Sequence, residues 1–294
     1  MSQDPTGSAP AASGERRHRR TALVTGASSG IGEEFARRLA RGGYDLVLVA
    51  RRAERIEELA GELTGRCGIA ATALPADLAG TDGLARVAER LRADGAGGAA
   101  PIDLLVNNAG TGGGGEFARQ DPDEIDTLVD LNIRAVLHLA RAVVPVQIER
   151  RRAGLAAGAR PYTGVINISS LAGELAANPK GAVYSATKAF VRQWSESLAA
   201  EAAGRGVRVT AVLPGYVRTE MTRGVQDKGL PDLAFVPKER VVAESLRAWA
   251  AGRTLVVPGV QYKAAEGLLR LLPRTLLKTA ARRSSDREVL REPE

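Results

Sequence analysis

Short apolar runs alternate with longer amphipathic stretches from residue 21 to residue 259, and this alternation constrains the fold more than any other feature of the chain. TALVTG (21–26), DLVLVA (45–50), IAATALP (69–75), IDLLVNN (102–108), TGVINISS (163–170), VRVTAVLPG (207–215) and TLVVPG (254–259) have the length and residue types of strands. After the first run, the spacing of Ile31, Phe35 and Leu39 predicts a helix that Gly42-Gly43 stops. Further helices are predicted in AERIEELAGEL, over roughly 81–94, over about 122–150 with Pro145 late in it, in AVYSATKAFVRQWSESLAAEAA and in KERVVAESLRAWAAG. Strict alternation implies parallel strands covered on both faces, and right-handed crossovers then lead to a doubly wound α/β sheet of seven strands. One domain is expected over 21–260. The Gly/Ala-rich stretches 94–100 and 153–160 read as surface loops.

Charge and composition exclude several functions. The net charge of +7 sits mostly at the ends. Residues 1–20 hold four arginines against two carboxylates, and residues 261–294 hold eight basic side chains against five acidic ones, which leaves only +2 on the body. A basic nucleic-acid face on the body is therefore not expected. Aromatic residues, at 4%, are too scarce for a base-stacking platform. One cysteine (Cys67) and two histidines (His18, His138) argue against a disulfide framework and a metal centre. No run is long enough to span a membrane, and MSQDPTGSAPAASGE has no apolar stretch of the kind a secretory signal needs. Residues 1–20 read as a disordered basic leader and the protein as cytoplasmic.

Three clusters carry chemistry. TGASSGIG (25–32) lies between the first strand and the first helix. Gly26 permits a tight turn, Gly30 lets backbone approach a pyrophosphate, and Gly32 lets helix pack closely on sheet, with the helix N-terminus facing phosphate. The second strand ends in Ala50 and is followed by Arg51 and Arg52. A carboxylate there would repel a ribose 2′-phosphate, whereas a guanidinium can hold one in a bidentate fork, so NADPH is expected over NADH. Tyr184 and Lys188 lie at i and i+4 on one helix face. An ammonium beside the phenol is expected to lower the Tyr184 pKa.

These residues, with Asp77-Leu78, Asn107-Asn108-Ala109-Gly110, Leu131-Asn132, Ser170 and Pro214-Gly215-Tyr216-Val217-Arg218-Thr219 in that order, make the chain resemble the short-chain dehydrogenase/reductase family in its single-domain, Rossmann-type branch. The resemblance covers about residues 20–260. It implies an oxidoreductase that interconverts a carbonyl and an alcohol with NADPH. Asn132, Ser170, Tyr184 and Lys188 would be catalytic. Asn132 would order a water, Ser170 bond the substrate carbonyl, Tyr184 move the proton, and Lys188 bind the nicotinamide ribose and tune Tyr184. Gly26, Ser28, Ser29, Gly30, Ile31, Gly32, Arg51 and Arg52 would bind cofactor, as would Asp77 and Leu78 at the adenine and Asn108, Ala109 and Gly110 along the ribose. Pro214, Gly215, Val217 and Thr219 would hold the carboxamide. In isolation Asn132 reads as a polar cap, Ser170 as a turn residue and Asp77 as a helix N-cap. An epimerase or dehydratase on the same fold, and a dinucleotide-binding regulator without turnover, are the rival readings.

Against the family's pattern, the interval from Ser170 to Tyr184 is one residue longer than expected, which singles out the loop at Asn178-Pro179-Lys180. Residues 149–162 look inserted, and four glycines (112–115) sit where the cleft is expected. Residues 216–240 should form a lid, whose Met221, Leu230, Leu233, Phe235 and Val236 suit an apolar carbonyl substrate. The family often pairs through its long helices, so a homodimer or homotetramer is expected. Residues 261–294 are expected to be a helical tail. In it, AEGLLRLLPRTLLKTAARR (265–283) sets leucines among cations, which reads as core cover or a subunit contact, with an anionic membrane surface as the alternative.

Overall fold

The computed structural model describes residues 19–158, 162–227, 229–273 and 275–279. Most of the leader expected over 1–20, and the tail beyond 279, lie outside the described residues. The strands are β1 (Thr21–Thr25), β2 (Asp45–Ala50), β3 (Ala71–Pro75), β4 (Leu104–Asn107), β5 (Thr163–Ile168), β6 (Val207–Val212) and β7 (Leu255–Val256). They form one parallel sheet in the order β3-β2-β1-β4-β5-β6-β7. This is the seven-stranded, doubly wound sheet expected from the alternation.

Side chains alternate between the two sheet faces, so neighbours in one strand enter different cores. Ala22 and Val24 of β1 pack with Phe35, Leu39, Ile56, Leu59 and Trp249, which come from α1 (Gly30–Arg41), α2 (Ala53–Cys67) and a helix over Lys238–Ala250. Leu23, between them, faces the other way, with Leu84, Val87, Leu91, Leu139 and Val143 from α3 (Thr81–Arg92) and a helix over Ala135–Ala156. Both faces are thus covered, which is why the strands read as continuous apolar runs.

The helix expected over 122–150 is divided. It runs as α4 (Pro122–Val129), a wide π turn at Asp130–Arg134, and α5 (Ala135–Ala156). Asn132 sits in that turn, 1% exposed, and its side chain bonds outside the helix. The surface loop expected at 153–160 is also corrected: residues 153–156 complete α5, and 159–161 lie outside the described residues. The remaining helices are α6 (Ala182–Ala203), the short α7 (Arg223–Gln226), α8 (Lys238–Ala250) and α9 (Val260–Leu271).

The strand order reverses between β1 and β4. Connections leave this point in opposite directions, so a crevice opens at the carboxyl ends of the two strands. The candidate site lies there.

Candidate active site

The crevice floor is built by close backbone approach. Gly26 and Gly30 have φ of 65° and 58°, a region that glycine enters without steric cost. A Cβ on Gly32 would lie 2.2 Å from the Gly26 carbonyl oxygen. The Asn108 amide donates to the carbonyls of Thr25 (3.0 Å) and Gly26 (3.3 Å), while the Thr25 hydroxyl accepts from the backbone N–H of Asn108 and Ala109, both at 2.9 Å. Thr25 and Asn108 therefore tie the ends of β1 and β4 together. Ser29, at the N-cap of α1, makes no side-chain capping bond, so amides of the first turn remain open to an anion. Glycines that no side chain can replace and an uncapped helix start fit a dinucleotide pyrophosphate. The cleft measures about 630 Å³, within the ordinary range for ligand sites.

At one end of the cleft stand Arg51, Arg52, Asp77 and Leu78. Arg52 donates to the Ser28 hydroxyl at 3.0 and 3.2 Å and pairs with Glu220 at 3.1 Å. Arg51 is exposed and has no partner among the described residues. Asp77 accepts from the Ala79 N–H at 3.1 Å, whereas the N-cap of α3 is Gly80, so Asp77 is not the cap of that helix.

At the other end, Ser170 follows β5 and its hydroxyl accepts from the Ala172 N–H at 3.1 Å. Tyr184 lies in the first turn of α6 and Lys188 one turn later. The Lys188 ammonium nitrogen is 5.7 Å from the Tyr184 ring centre and donates to the Ile168 carbonyl at 3.2 Å. Burial pushes the Tyr184 phenol up, opposed by its hydrogen bond with Ser170. This is opposite to the lowering expected from Lys188. The physical reason is that burial of the phenol itself disfavours the phenolate; Lys188 is likewise buried and driven down to about 8.

Asn132 stands behind this group. Its side chain accepts from the Thr111 N–H and donates to the Thr111 carbonyl, both at 3.0 Å, and donates to the Thr187 hydroxyl at 3.2 Å. Gly110 runs between Asn132 and Lys188: a Cβ there would meet the Asn132 amide oxygen at 3.0 Å and the Lys188 nitrogen at 3.3 Å. Of the expected site residues, Gly32 and Asn132 do not line the cleft wall, and Pro214, Gly215, Val217 and Thr219 do.

Sequence reasoning missed several contributors. Thr25 holds the floor, Ser169 bonds the Lys188 carbonyl at 2.6 Å, and Thr111 and Thr187 hold Asn132. Thr187 stood within the Tyr–Lys motif and Thr25 within the glycine turn, but a hydroxyl carries no signal until its partner is known. Glu220, an exposed acid, gave none. The glycine run is explained by packing. Gly115 donates to the Lys180 carbonyl at 2.7 Å, and a Cβ on Gly114 would lie 2.8 Å from that same oxygen. Lys180 itself has φ of 60°, so the loop singled out by its length is also unusual in conformation.

Known proteins agree with this architecture. Residues 20–229 match the model of the short chain dehydrogenase family. Oxidoreductase UcpA of Escherichia coli K12 is 37% identical over 229 residues, covering 78% of this chain and 80% of that protein. A short-chain dehydrogenase from Sphingobium yanoikuyae, solved in complex with NADPH, superposes with a TM-score of 0.72 at 35% identity, over 86% of this chain and 96% of that one. The bulky-bulky ketone specific alcohol dehydrogenase of Comamonas testosteroni follows at 0.69 and 33%, over 86% and 95%. With the match running from the start of the sheet through the glycine turn, Tyr184 and Lys188 to the segment after β6, this chain belongs to the short-chain dehydrogenase family and is an NAD(P)-dependent oxidoreductase.

Proposed function

We propose that this enzyme interconverts an apolar carbonyl compound and its alcohol, with NADPH as the preferred cofactor. The observation that carries the reading is the convergence of Ser170, Tyr184 and Lys188 on one end of the cleft, with Asn132 behind them. When bound, the nicotinamide supplies the reducing equivalent at the carbonyl carbon. The turn at 26–32 would hold its pyrophosphate, Asp77 and Leu78 the adenine, Arg51 and Arg52 the 2′-phosphate, Asn108 to Gly110 the ribose, and Pro214 to Thr219 the carboxamide.

The chain's own residues do the rest. The Ser170 hydroxyl donates to the substrate oxygen and orients it. The Tyr184 hydroxyl gives its proton to that oxygen as charge develops there, and takes it back in the oxidative direction. A phenol kept protonated by burial is ready to act as an acid. Lys188 binds beside it, and Asn132 holds the wall through Thr111. An apolar substrate is supported by Met221, which lines the cleft and is 55% exposed. The Sphingobium relative holds NADPH, and the Comamonas relative is named for bulky ketones.

The test is NADPH consumption against a panel of aldehydes and ketones graded in size and polarity. The large apolar ketones should turn over best. Tyr184→Phe should lower turnover about 10²- to 10⁴-fold while NADPH binding, measured by fluorescence, stays nearly intact. A variant that keeps half its turnover would remove Tyr184 from the chemistry.

A further inference from the structure

Helix α9 presents an apolar face outwards. Val260, Ala264, Leu268 and Leu271 are spaced by four, four and three residues, which places them on one stripe, and all are exposed. Leu271 is 83% exposed, and Leu276 beyond the helix is 60% exposed. The opposite side of α9 is the docked one. There the Tyr262 ring lies against Gly215, and Lys263 pairs with Glu244 at 2.8 Å. The leucines therefore do not cover the core of this chain, and core cover is excluded for them. A surface helix with apolar residues on its outward stripe needs a partner.

The charge of the segment says which partner. From Gly267 to Thr279 the sequence carries Arg270, Arg274 and Lys278 and no carboxylate. A second copy docked on this face would bring like charges together. An anionic lipid surface neutralises the cations while the leucines enter the boundary between headgroups and acyl chains. No helix among the described residues is long and apolar enough to cross a membrane, so contact would be in the plane of the surface.

We propose that α9 and the helical turn over residues 275–279 dock this enzyme on an anionic membrane surface. The docked helix adjoins the cleft. Tyr262 packs on Gly215, which lines the cleft wall, and Gln261 donates to the carbonyl of Leu233, itself 77% exposed.

The experiment is co-sedimentation of the full chain with phosphatidylcholine vesicles and with phosphatidylcholine vesicles made anionic with phosphatidylglycerol. The chain should pellet with the anionic vesicles and lose that binding at about 0.5 M salt, where screening is severe. Each cation replaced, as in Arg274→Gln or Lys278→Gln, should lower partitioning about fivefold. Leu268→Ser/Leu271→Ser/Leu276→Ser should abolish it with an unchanged circular dichroism spectrum. These leucines are solvent-exposed, so the fold does not depend on them. Failure to pellet with either vesicle, equal pelleting with both, or a dimer that forms through this face and excludes vesicles would each overturn the proposal.

Discussion

Lys188 is a buried amine whose charge the fold does not favour. Its pKa falls from 10.5 to about 8, a depression equivalent to about 3 kcal/mol. Below pH 8 both the folded and the unfolded chain hold the proton, and the folded chain bears the full desolvation cost. Between 8 and 10.5 the folded chain releases its proton first, so stability rises with pH; above 10.5 the cost is gone. Lys188→Met should therefore stabilise the cofactor-free protein at pH 7 by about 2 kcal/mol, allowing about 1 kcal/mol for the lost bond to Ile168. The gain should shrink at pH 10, and activity should collapse. A lysine variant that melts lower than wild type at pH 7 would contradict this account. Arg52 carries a second residue-scale prediction. It is shared between Ser28 and Glu220, so in the proposed NADPH complex a 2′-phosphate would compete with a carboxylate for it, while Arg51 has no partner among the described residues. A charge-assisted bond contributes about 1.5–3 kcal/mol, or roughly 10- to 150-fold in favour of NADPH. Arg51→Ala should reduce that preference, and Glu220→Gln should raise NADPH affinity several-fold and leave NADH affinity unchanged. Dissociation constants for both cofactors decide it. An equal change in both would show that Glu220 acts only on the shape of the cleft.

Among the elements, α9 holds the segment that follows β6. The Tyr262 hydroxyl accepts from the Tyr216 N–H at 3.1 Å and donates to the Ala234 carbonyl at 2.6 Å, so one side chain ties both ends of the 216–234 segment. The Tyr216 carbonyl also accepts from the Val236 N–H at 2.8 Å. A Cβ at Gly215 would lie 2.1 Å from the Tyr262 ring, so glycine is required there. Tyr262→Phe loses both bonds and should cost about 1–3 kcal/mol. It should also speed protease cleavage within 219–235. Gly215→Ala should do more damage, part of which Tyr262→Ala restores by removing the ring. Unchanged melting and unchanged cleavage in Tyr262→Phe would show that the segment is held elsewhere. The sequence predicted a helix near here but not this clamp, because Tyr262 and Gly215 are 47 positions apart and nothing local marks their contact. The π turn at Asp130–Arg134 was missed for the same reason: the bonds of Asn132 to Thr111 and Thr187 reach across the fold.

On the scale of the whole molecule, α5 and α6 leave an outward groove of about 650 Å³ lined by Leu137, Val144, Pro145, Ile148, Trp194 and Leu198. It lies away from the catalytic cleft. A two-fold pairing of these helices would bury the same face on both copies. The 30.9 kDa chain should therefore run at twice its mass in light scattering, and Trp194→Glu at one mass with the fold retained. Wild type at one chain mass at micromolar concentration would rule out this pairing.

Order and local chemistry were legible in the sequence. The seven strands follow from apolar runs of strand length, the glycine turn from positions that need positive φ or close approach, and the Tyr184–Lys188 pair from the helical repeat. Each of these rules acts within a few residues. What only the tertiary structure decided is what depends on distant partners: Asn108 joining two strand ends, Glu220 pairing with Arg52, Tyr262 filling the space above Gly215, and the direction in which Tyr184 and Lys188 titrate. Burial and pairing are set by strand order and by which helix covers which face, and no local pattern encodes the water that a side chain loses when the sheet closes over it.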